Sequence, residues 1–158
     1  MKNIKTISIL DLNKIKSFIF DNIDDFKYFL NIGWTQKNIE NHLRKKNNFS
    51  LAYFSKNNID GIVFGEKIKN DNGYDLEIHI IFVTTKKRRN KVATNILNFI
   101  VAGKNSTKIS KIYLEVSENN AEAIKFYEKN NFVFYKFRHN YYRYNNKIIN
   151  AKCYLKLI

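Results

Sequence analysis

A loop segment at 86–91, in which every residue but Asn90 is basic, lies between two segments with different apolar periods. The segment before it, 74–83, has the pattern of a strand, and the segment after it, Val92 to Ile100, has the apolar spacing of a helix. A strand that passes through a basic loop into a helix brings unpaired backbone N–H groups and the positive end of the helix to one place. That arrangement suits a phosphate group, and solvated basic surface is the alternative.

Two residues that can handle protons flank the next junction between a strand and a helix. Glu115 lies in the predicted strand, and Tyr127 lies in the predicted helix that follows it. Such a pair can act as a general base and a general acid, and the alternatives are a surface carboxylate and a tyrosine at the edge of the core. Glu77 and His79 are rival bases, because side chains two residues apart on a strand share one face.

Together the two stretches resemble the paired motifs of the GNAT N-acetyltransferases. The first motif of that family runs R/Q-x-x-G-x-G/A from the loop into the helix, and its key positions here hold Arg88, Lys91 and Ala93. The second motif is a strand, an asparagine, a helix with A-x-x-x-Y and then Gly-Phe; its positions here hold Asn120, Ala123, Tyr127, Asn131 and Phe132.

Two positions depart from these motifs, because Lys91 and Asn131 stand where the family has glycine. Asparagine tolerates the left-handed backbone conformation better than other residues, so Asn131 is a mild change. The Lys91 side chain either crowds the pyrophosphate or reinforces its binding through the ammonium charge.

The resemblance is closest to the RimI-like branch, the bacterial ribosomal-protein alanine N-acetyltransferases. The matching segments are Trp34-Thr35-Gln36-Lys37, Leu114-Glu115-Val116, Asn120-Ala121, Ala123-Ile124 and Asn140-Tyr141-Tyr142. The similarity covers nearly the whole chain, and it is specific in the last half and looser before residue 75.

The resemblance implies acetyl-CoA as co-substrate and no metal, with Glu115 as the general base and Tyr127 as the general acid. It also implies that the backbone of the strand at Ile81, Phe82 and Val83 pairs with the pantetheine arm as an added strand would. Further cofactor contacts are expected from Arg88, Arg89, Asn90, Lys91, Val92, Ala93, Thr94 and Asn120. The acceptor cleft is expected to include Trp34, Glu77, Tyr141 and Tyr142, with ordinary core packing as the alternative for the aromatic ones.

Three functions remain open for this family resemblance. The first is acetylation of a protein amino terminus, such as that of a ribosomal protein; a basic acceptor of this kind needs local acidic residues, and the candidates are Glu77, Glu115, Glu118 and Glu122. The second is acetylation of a small amine such as an amino sugar, a polyamine or an aminoglycoside. The third is a non-catalytic module that senses acyl-CoA or binds RNA.

Composition sets limits on the partners. The 158 residues include 28 basic and 14 acidic ones, for a net charge of +14, but the lysines are scattered and proline is absent, as codon bias alone would produce. We therefore expect no nucleic-acid partner.

No apolar stretch approaches the roughly 20 residues of a membrane span, and the single cysteine, Cys153, is interpreted as a buried thiol. The prediction is a single cytoplasmic domain, 1–158, that is a monomer or a homodimer and has no membrane contact.

The order of elements predicts a mixed α/β (α+β) chain, which the resemblance identifies as the GNAT fold, a central, mostly antiparallel twisted sheet with helices on both faces. Early helices are expected over 10–23 and from an N-cap at Thr35, and later ones over Val92 to Ile100 and 121–129, the last entered through Asn119 in a capping box with Glu122. The predicted strands are 49–54, 59–68, 74–83, 112–116, 132–137 and 148–157, with turns at 56–58, Asn72-Gly73 and Asn145-Asn146.

Overall fold

A seven-stranded sheet organises the chain in the computed structural model, which describes residues 3–103, 108–144 and 146–158. The strands are β1 (Ile4–Thr6), β2 (Asn48–Ser55), β3 (Asn58–Asn70), β4 (Gly73–Val83), β5 (Ile109–Ser117), β6 (Val133–Tyr144) and β7 (Lys147–Leu157). Their spatial order is β1-β2-β3-β4-β5-β7-β6. All neighbours pair antiparallel except β4 and β5, which are parallel. The mixed α/β class and the mostly antiparallel sheet are therefore confirmed.

Helices cover both faces of this sheet, as predicted. They are α1 (Leu12–Asp21), α2 (Ile23–Asn31), α3 (Gln36–Arg44), α4 (Val92–Val101) and α5 (Ala121–Lys129). One apolar core, here called the α4–α5 core, packs Ile96 and Tyr127 against strand residues such as Leu114. A second, the α1–α3 core, packs Phe26 and Ile39 against the opposite face. Each amphipathic helix thus buries its apolar stripe on the sheet.

Helix boundaries agree with the sequence in part. Thr35 caps α3 as predicted, because its hydroxyl accepts the backbone N–H of Asn38 at 3.3 Å. The predicted cap of α5 at Asn119 is wrong, since Asn120 Oδ1 accepts the N–H of Ala123 at 3.1 Å. The predicted capping-box role of Glu122 is also wrong, because that side chain pairs with an arginine of the basic loop instead.

The extents of several elements also differ from the prediction. The expected helix 10–23 ends at Asp21, and α2 follows it as a separate helix that was not predicted. The edge strand β6 continues to Tyr144, well beyond the expected 137, because it keeps pairing with β7. The two hairpins at 56–58 and 72–73 form as expected, although the second turn is Asp71–Asn72 and the positive φ, 140°, falls at Gly73. Of the last predicted turn, Asn145 lies outside the described residues.

A β-bulge in β4 decides which way its side chains point. The partners of Phe64 and Gly65 on β3 are Ile80 and Ile78, so His79 is an extra residue in β4. Before the bulge, Ile78 faces the α4–α5 core, whereas Ile80 after the bulge faces the α1–α3 core. The bulge therefore reverses the two faces of the strand just before the basic loop.

In the ranges that the structure describes, none of the helices has the length and apolarity needed to cross a membrane.

We predict that Gly65→Ala destabilises the fold by about 2 kcal/mol, because overpacking next to a backbone is costly. A Cβ at this position would lie 2.5 Å from the carbonyl oxygen of Glu77, in the segment that forms the bulge. Urea unfolding measures the change. Gly103→Ala is the control for the glycine-to-alanine change itself, because a Cβ there meets nothing within 4 Å; its φ of 64°, unlike that of Gly65, adds only left-handed strain, so we expect a smaller loss. Equal losses in the two variants would contradict the steric argument.

Candidate active site

A wedge opens in the sheet where β4 and β5 separate. Their ladder ends at the pair Ile78–Leu114, although β4 runs on to Val83 and β5 to Ser117. Beyond that pair, β5 keeps only its partner β7. The edge of β4 that faces β5 is thus left without a strand partner over 79–83, and it can pair with an extended ligand.

The predicted pantetheine strand lies along this wedge. Phe82 is buried in the α1–α3 core, whereas Ile81 and Val83 pack against the α4–α5 core. The three side chains are therefore used for packing, and the backbone is what the segment offers to a ligand.

The basic loop between β4 and α4 has a strained backbone. Arg89 and Lys91 adopt positive φ angles of 64° and 59°, in the left-handed region that favours glycine. Lys91 is the N-cap of α4, and since its side chain supplies no hydrogen-bond acceptor, the first N–H groups of the helix receive no side-chain cap. Lys91 thus keeps the backbone shape of the motif glycine that it replaces.

The remaining loop positions differ in exposure. Arg88, Arg89, Asn90 and Lys91 are exposed, and Ala93 and Thr94 are half-buried. Val92 is buried in the α4–α5 core, so that only its backbone N–H can reach a phosphate. The exposed cations and the uncapped helix end form one positive surface.

Contacts with α2 and the β2–β3 hairpin hold the start of this loop in place. Thr85 Oγ1 donates a hydrogen bond to Asp25 Oδ2, and Arg88 Nε donates to the carbonyl oxygen of Val83 at 3.2 Å. Lys87 Nζ lies 3.4 Å from Oδ2 of Asp60, whose side chain is only 8% exposed. At the other end of the loop, Arg89 pairs with Glu122 on α5 at 2.9 Å, but both side chains are well exposed and the pair adds little stability.

The predicted base, Glu115, is held by an arginine that the sequence analysis missed. Arg138 Nη1 donates to Glu115 Oε1 at 2.6 Å, and this hydrogen bond raises the pKa of the guanidinium. The Arg138 guanidinium also lies 3.8 Å from the ring centroid of Tyr141. On the neighbouring strand β7, Cys153 Sγ lies 3.8 Å from the same carboxylate oxygen. Glu115 is thus a part-buried carboxylate with one oxygen in an ion pair.

The predicted acid, Tyr127, is buried among aromatic rings on α5. Burial raises its pKa well above the usual range, so the hydroxyl remains protonated and can donate. Its ring lies 5.7 Å from that of Phe132 and 6.4 Å from that of Tyr154, measured between centroids. Tyr127 therefore has a fixed ring and a retained proton.

The pKa of Tyr142 responds to the charges of both the predicted base and the predicted acid. Burial, followed by the negative charges of Tyr28, Glu115, Tyr141 and Tyr127 when ionised, raises the pKa of Tyr142 above its usual range. The electrostatic surroundings of Tyr142 thus include both Glu115 and Tyr127.

Tyr141 and Tyr142, which were predicted for the acceptor cleft, contact each other and an aromatic residue of α2. The ring of Tyr28 on α2 lies 6.1 Å from that of Tyr142, and Tyr142 lies 4.8 Å from Tyr141. Tyr28 was missed because α2 was not predicted, although Phe26, Phe29 and Leu30 carry the helical spacing that reveals this helix.

Trp34 and His79 belong to a neighbouring cluster beneath α3. The indole stacks on Phe64 with centroids 5.7 Å apart, and it lies 5.8 Å from the His79 ring. His79 Nε2 is 3.7 Å from Glu66 Oε1. Glu77 shares this face of the sheet, as its spacing predicts, but its charge acts on Tyr135 and Tyr141, whose pKa values it helps to raise after the larger effect of burial.

His42 is a buried titratable group in the same cluster. It is 3% exposed, and burial lowers the pKa of its imidazole to about 4. Its Nε2 lies 3.4 Å from Ser50 Oγ, and its Nδ1 lies 3.8 Å from Glu66 Oε1. The nearby charge of His79 also favours the neutral form.

Among the described side chains, no group of three or more His, Cys, Asp or Glu residues is arranged to hold a metal ion.

The acetyltransferase (GNAT) family profile matches residues 14–132. A search of curated proteins gave no significant match.

Solved acetyltransferase structures share the fold at low sequence identity. The ribosomal-protein-S18-alanine N-acetyltransferase of Escherichia coli has a TM-score of 0.77 and 17% identity, over 100% of this chain and 94% of that one. Arabidopsis thaliana NAA60 in complex with acetyl-CoA has a TM-score of 0.75 and 17% identity, over 98% and 97%. A probable acetyltransferase of Staphylococcus epidermidis has a TM-score of 0.80 and 15% identity, over 99% of each chain.

We predict that stability depends on His42 between pH 6.5 and pH 4. The folded pKa of about 4 lies below the unfolded value near 6.5. The folded state therefore binds fewer protons, so the contribution of neutral His42 to the free energy of unfolding is complete above pH 6.5 and is lost as the pH drops towards 4, by about 3 kcal/mol. Urea unfolding across this range should show a shallower pH slope for His42→Gln than for the parent. His139→Gln, at an exposed histidine, should keep the parent slope, and an unchanged slope in His42→Gln would contradict the assignment.

Proposed function

Because the chain belongs to the acetyltransferase (GNAT) family and is thus an acetyl-CoA-dependent N-acetyltransferase, we propose that its acceptor is the amino-terminal amine of a protein. The observation that carries this proposal is the wedge between β4 and β5, with Glu115 on β5 directly beyond the last pair of the ladder. The site then has a slot for an extended thioester arm, a carboxylate for the amine and a phenol for the sulfur.

Acetyl-CoA fits the residues that surround this wedge. In the proposal, the backbone at 81–83 pairs with the pantetheine arm, and the N–H groups at the start of α4 bind the pyrophosphate. Arg88, Arg89 and Lys91 add charge to that site. Asn120 Oδ1 is used to cap α5, so its side-chain amide N–H groups are what it offers to the cofactor.

Glu115 and Tyr127 move the protons in the proposed reaction. Glu115 takes a proton from the acceptor ammonium, directly or through water, and the neutral amine attacks the thioester carbonyl carbon. The new C–N bond forms as the C–S bond breaks, and Tyr127 gives its proton to the departing sulfur. The proton that the nitrogen then loses, to become the amide, returns to Tyr127 through solvent. Arg138 donates to Oε1 of Glu115, and Tyr141 also hydrogen-bonds the carboxylate, so two neighbours orient Glu115 for its role as base.

Two similarities support a protein amino terminus as the acceptor. The fold is shared with the Escherichia coli ribosomal-protein-S18-alanine N-acetyltransferase, and Asn140-Tyr141-Tyr142 matches the RimI-like branch. A small amine is the second candidate. It is favoured by the ring contact of Tyr28 with Tyr142, because walls that touch leave a narrow entry to the wedge. We place the protein in the cytoplasm as part of the same proposal.

Release of the CoA thiol, measured with three groups of acceptors, tests the proposal. The groups are amino-terminal peptides, lysine side-chain peptides that are blocked at the amino terminus, and small amines such as polyamines and aminoglycosides. We expect turnover of the amino-terminal peptides. Turnover of small amines alone would replace the first candidate with the second, and no turnover of any amine, with acetyl-CoA bound, would favour a module that only senses acyl-CoA.

We predict that Lys91→Gly raises stability but weakens acetyl-CoA binding. Glycine relieves the left-handed strain, for a gain of about 0.5–1 kcal/mol, while loss of the ammonium lowers affinity about two- to five-fold at low salt and less at high salt. Thermal shifts with and without acetyl-CoA measure both effects. Asn131→Gly is the control, because its φ of 62° is also left-handed and no charge is lost. Tighter binding of acetyl-CoA by Lys91→Gly would mean that the lysine crowds the cofactor.

We predict that Glu115→Gln and Tyr127→Phe each lower kcat by about 10²-fold or more while acetyl-CoA binding survives. The parent should have a bell-shaped pH profile, and Glu115→Gln should lose its acidic limb. Tyr154→Phe is the control, because it removes a tyrosine hydroxyl that donates to Glu128 at 2.9 Å, outside the proposed reaction. An intact acidic limb and a normal kcat in Glu115→Gln would transfer the role of base to Glu77 or His79.

A further inference from the structure

We propose that Arg138 is a specificity-determining residue that selects acceptors with a carboxylate close to the reacting amine. This inference rests on the proposed acetyl transfer to an amine and names the chemical class of the acceptor. It concerns a side chain in contact with Glu115, at the edge of the wedge where an acceptor must enter.

The guanidinium of Arg138 has donors left to bind a ligand. It carries five N–H groups, and its hydrogen bond to Glu115 uses Nη1. The side chain is 44% exposed, so the other donors are accessible. Tyr141 lies against the guanidinium, with 3.8 Å between the guanidinium carbon and the ring centroid, and this contact fixes the plane of the N–H donors. A preorganised pair of coplanar N–H donors matches the two oxygens of a carboxylate.

The backbone at this point is also held in place. The register of β6 with β7 breaks between Arg138 and Tyr142, and Asn140 within this bulge has a φ of 57°. The N–H of Asn140 donates to Asn150 Oδ1 at 3.0 Å. Asn150 is itself bound through its backbone N–H to Glu118 Oε1 at 3.1 Å. The bulge therefore presents Arg138 from a fixed position.

The charges around the wedge do not favour a basic acceptor. Of the four carboxylates expected to attract one, Glu115 pairs with Arg138 and Glu122 pairs with Arg89. Glu118 accepts two hydrogen bonds from Asn150. Within the described residues, only Glu77 of the four has neither an ion pair nor a hydrogen bond. Against a net charge of +14, an acceptor with its own carboxylate is the one that electrostatics attracts.

The acceptor amine and its carboxylate then bind the two partners of one ion pair. The amine approaches the Glu115 carboxylate, and the acceptor carboxylate takes the free donors of Arg138. The carboxylate can come from an acidic side chain near the start of a peptide or from the α-carboxylate of a free amino acid. Both sources present the same chemistry to the guanidinium.

Competition among matched acceptors tests the proposal. Peptides that begin Ser-Glu, Ser-Gln and Ser-Lys and are otherwise identical, and free amino acids against their amides, are acetylated by the parent, Arg138→Gln, Arg138→Lys and Arg143→Gln. Arg143 is an exposed arginine on the same strand, so its variant loses the same charge without touching Glu115. Thermal unfolding verifies that each variant is folded.

We expect the parent to favour the acidic acceptor over its neutral match by about 10-fold in kcat/KM, mainly through KM. Arg138→Gln should abolish the preference for the acidic acceptor. Arg138→Lys should retain only part of the preference, because lysine keeps the charge but lacks the planar pair of N–H donors. Arg143→Gln should keep the preference in full. A preference among peptides alone or among amino acids alone identifies the source of the carboxylate. If Arg138→Gln does not fold, a parent-like ratio in Arg138→Lys overturns the proposal.

Failure of this inference is distinct from failure of the proposed function. Equal kcat/KM for acidic and neutral acceptors in the parent, or an equal fall in the acidic preference in Arg138→Gln and Arg143→Gln, overturns the role of Arg138 but leaves acetyl transfer intact. No acetylation of any amine overturns both.

Discussion

The separation of the parallel strands β4 and β5 is the constraint on which the rest of the site depends. β4 and β5 pair as far as Ile78 and Leu114 and then separate, because the bulge at His79 turns β4 away. A continuous ladder would satisfy the edge of β4 and leave no slot for a ligand. The cost of unpaired backbone groups at this edge is offset when an extended ligand completes the hydrogen bonds.

The basic loop shows a second compromise, in which a charged side chain occupies a backbone conformation that suits glycine. Lys91 and Arg89 are both left-handed, and nearby contacts hold the loop, including those of Asp25 with Thr85 and of Asp60 with Lys87. Strain of this kind persists only where the surroundings fix the conformation. The loop therefore combines the shape of the motif with more positive charge than glycine provides.

The sequence predicts most of the elements and the pairing of motifs, because periodicity and turn residues are local signals. It predicts Thr35 as a cap and a mixed α/β order with a mostly antiparallel sheet, but it misplaces the cap of α5 by one residue and does not predict α2. The bulge at His79 has no local signal of comparable strength. Arg138 was missed for another reason: its contact with Glu115 joins residues 23 positions apart, and only the β5-β7-β6 order brings them together.

The cluster beneath α3 has a spectroscopic consequence. Trp34 is the only tryptophan in the chain, and its indole stacks on Phe64 within 5.3 Å of the His42 ring, measured between centroids. The intrinsic emission of the protein therefore comes from tyrosines and from this one indole beneath α3. Protonated imidazoles quench indole fluorescence, so Trp34 is an intrinsic optical reporter of the protonation of His42 that requires no label.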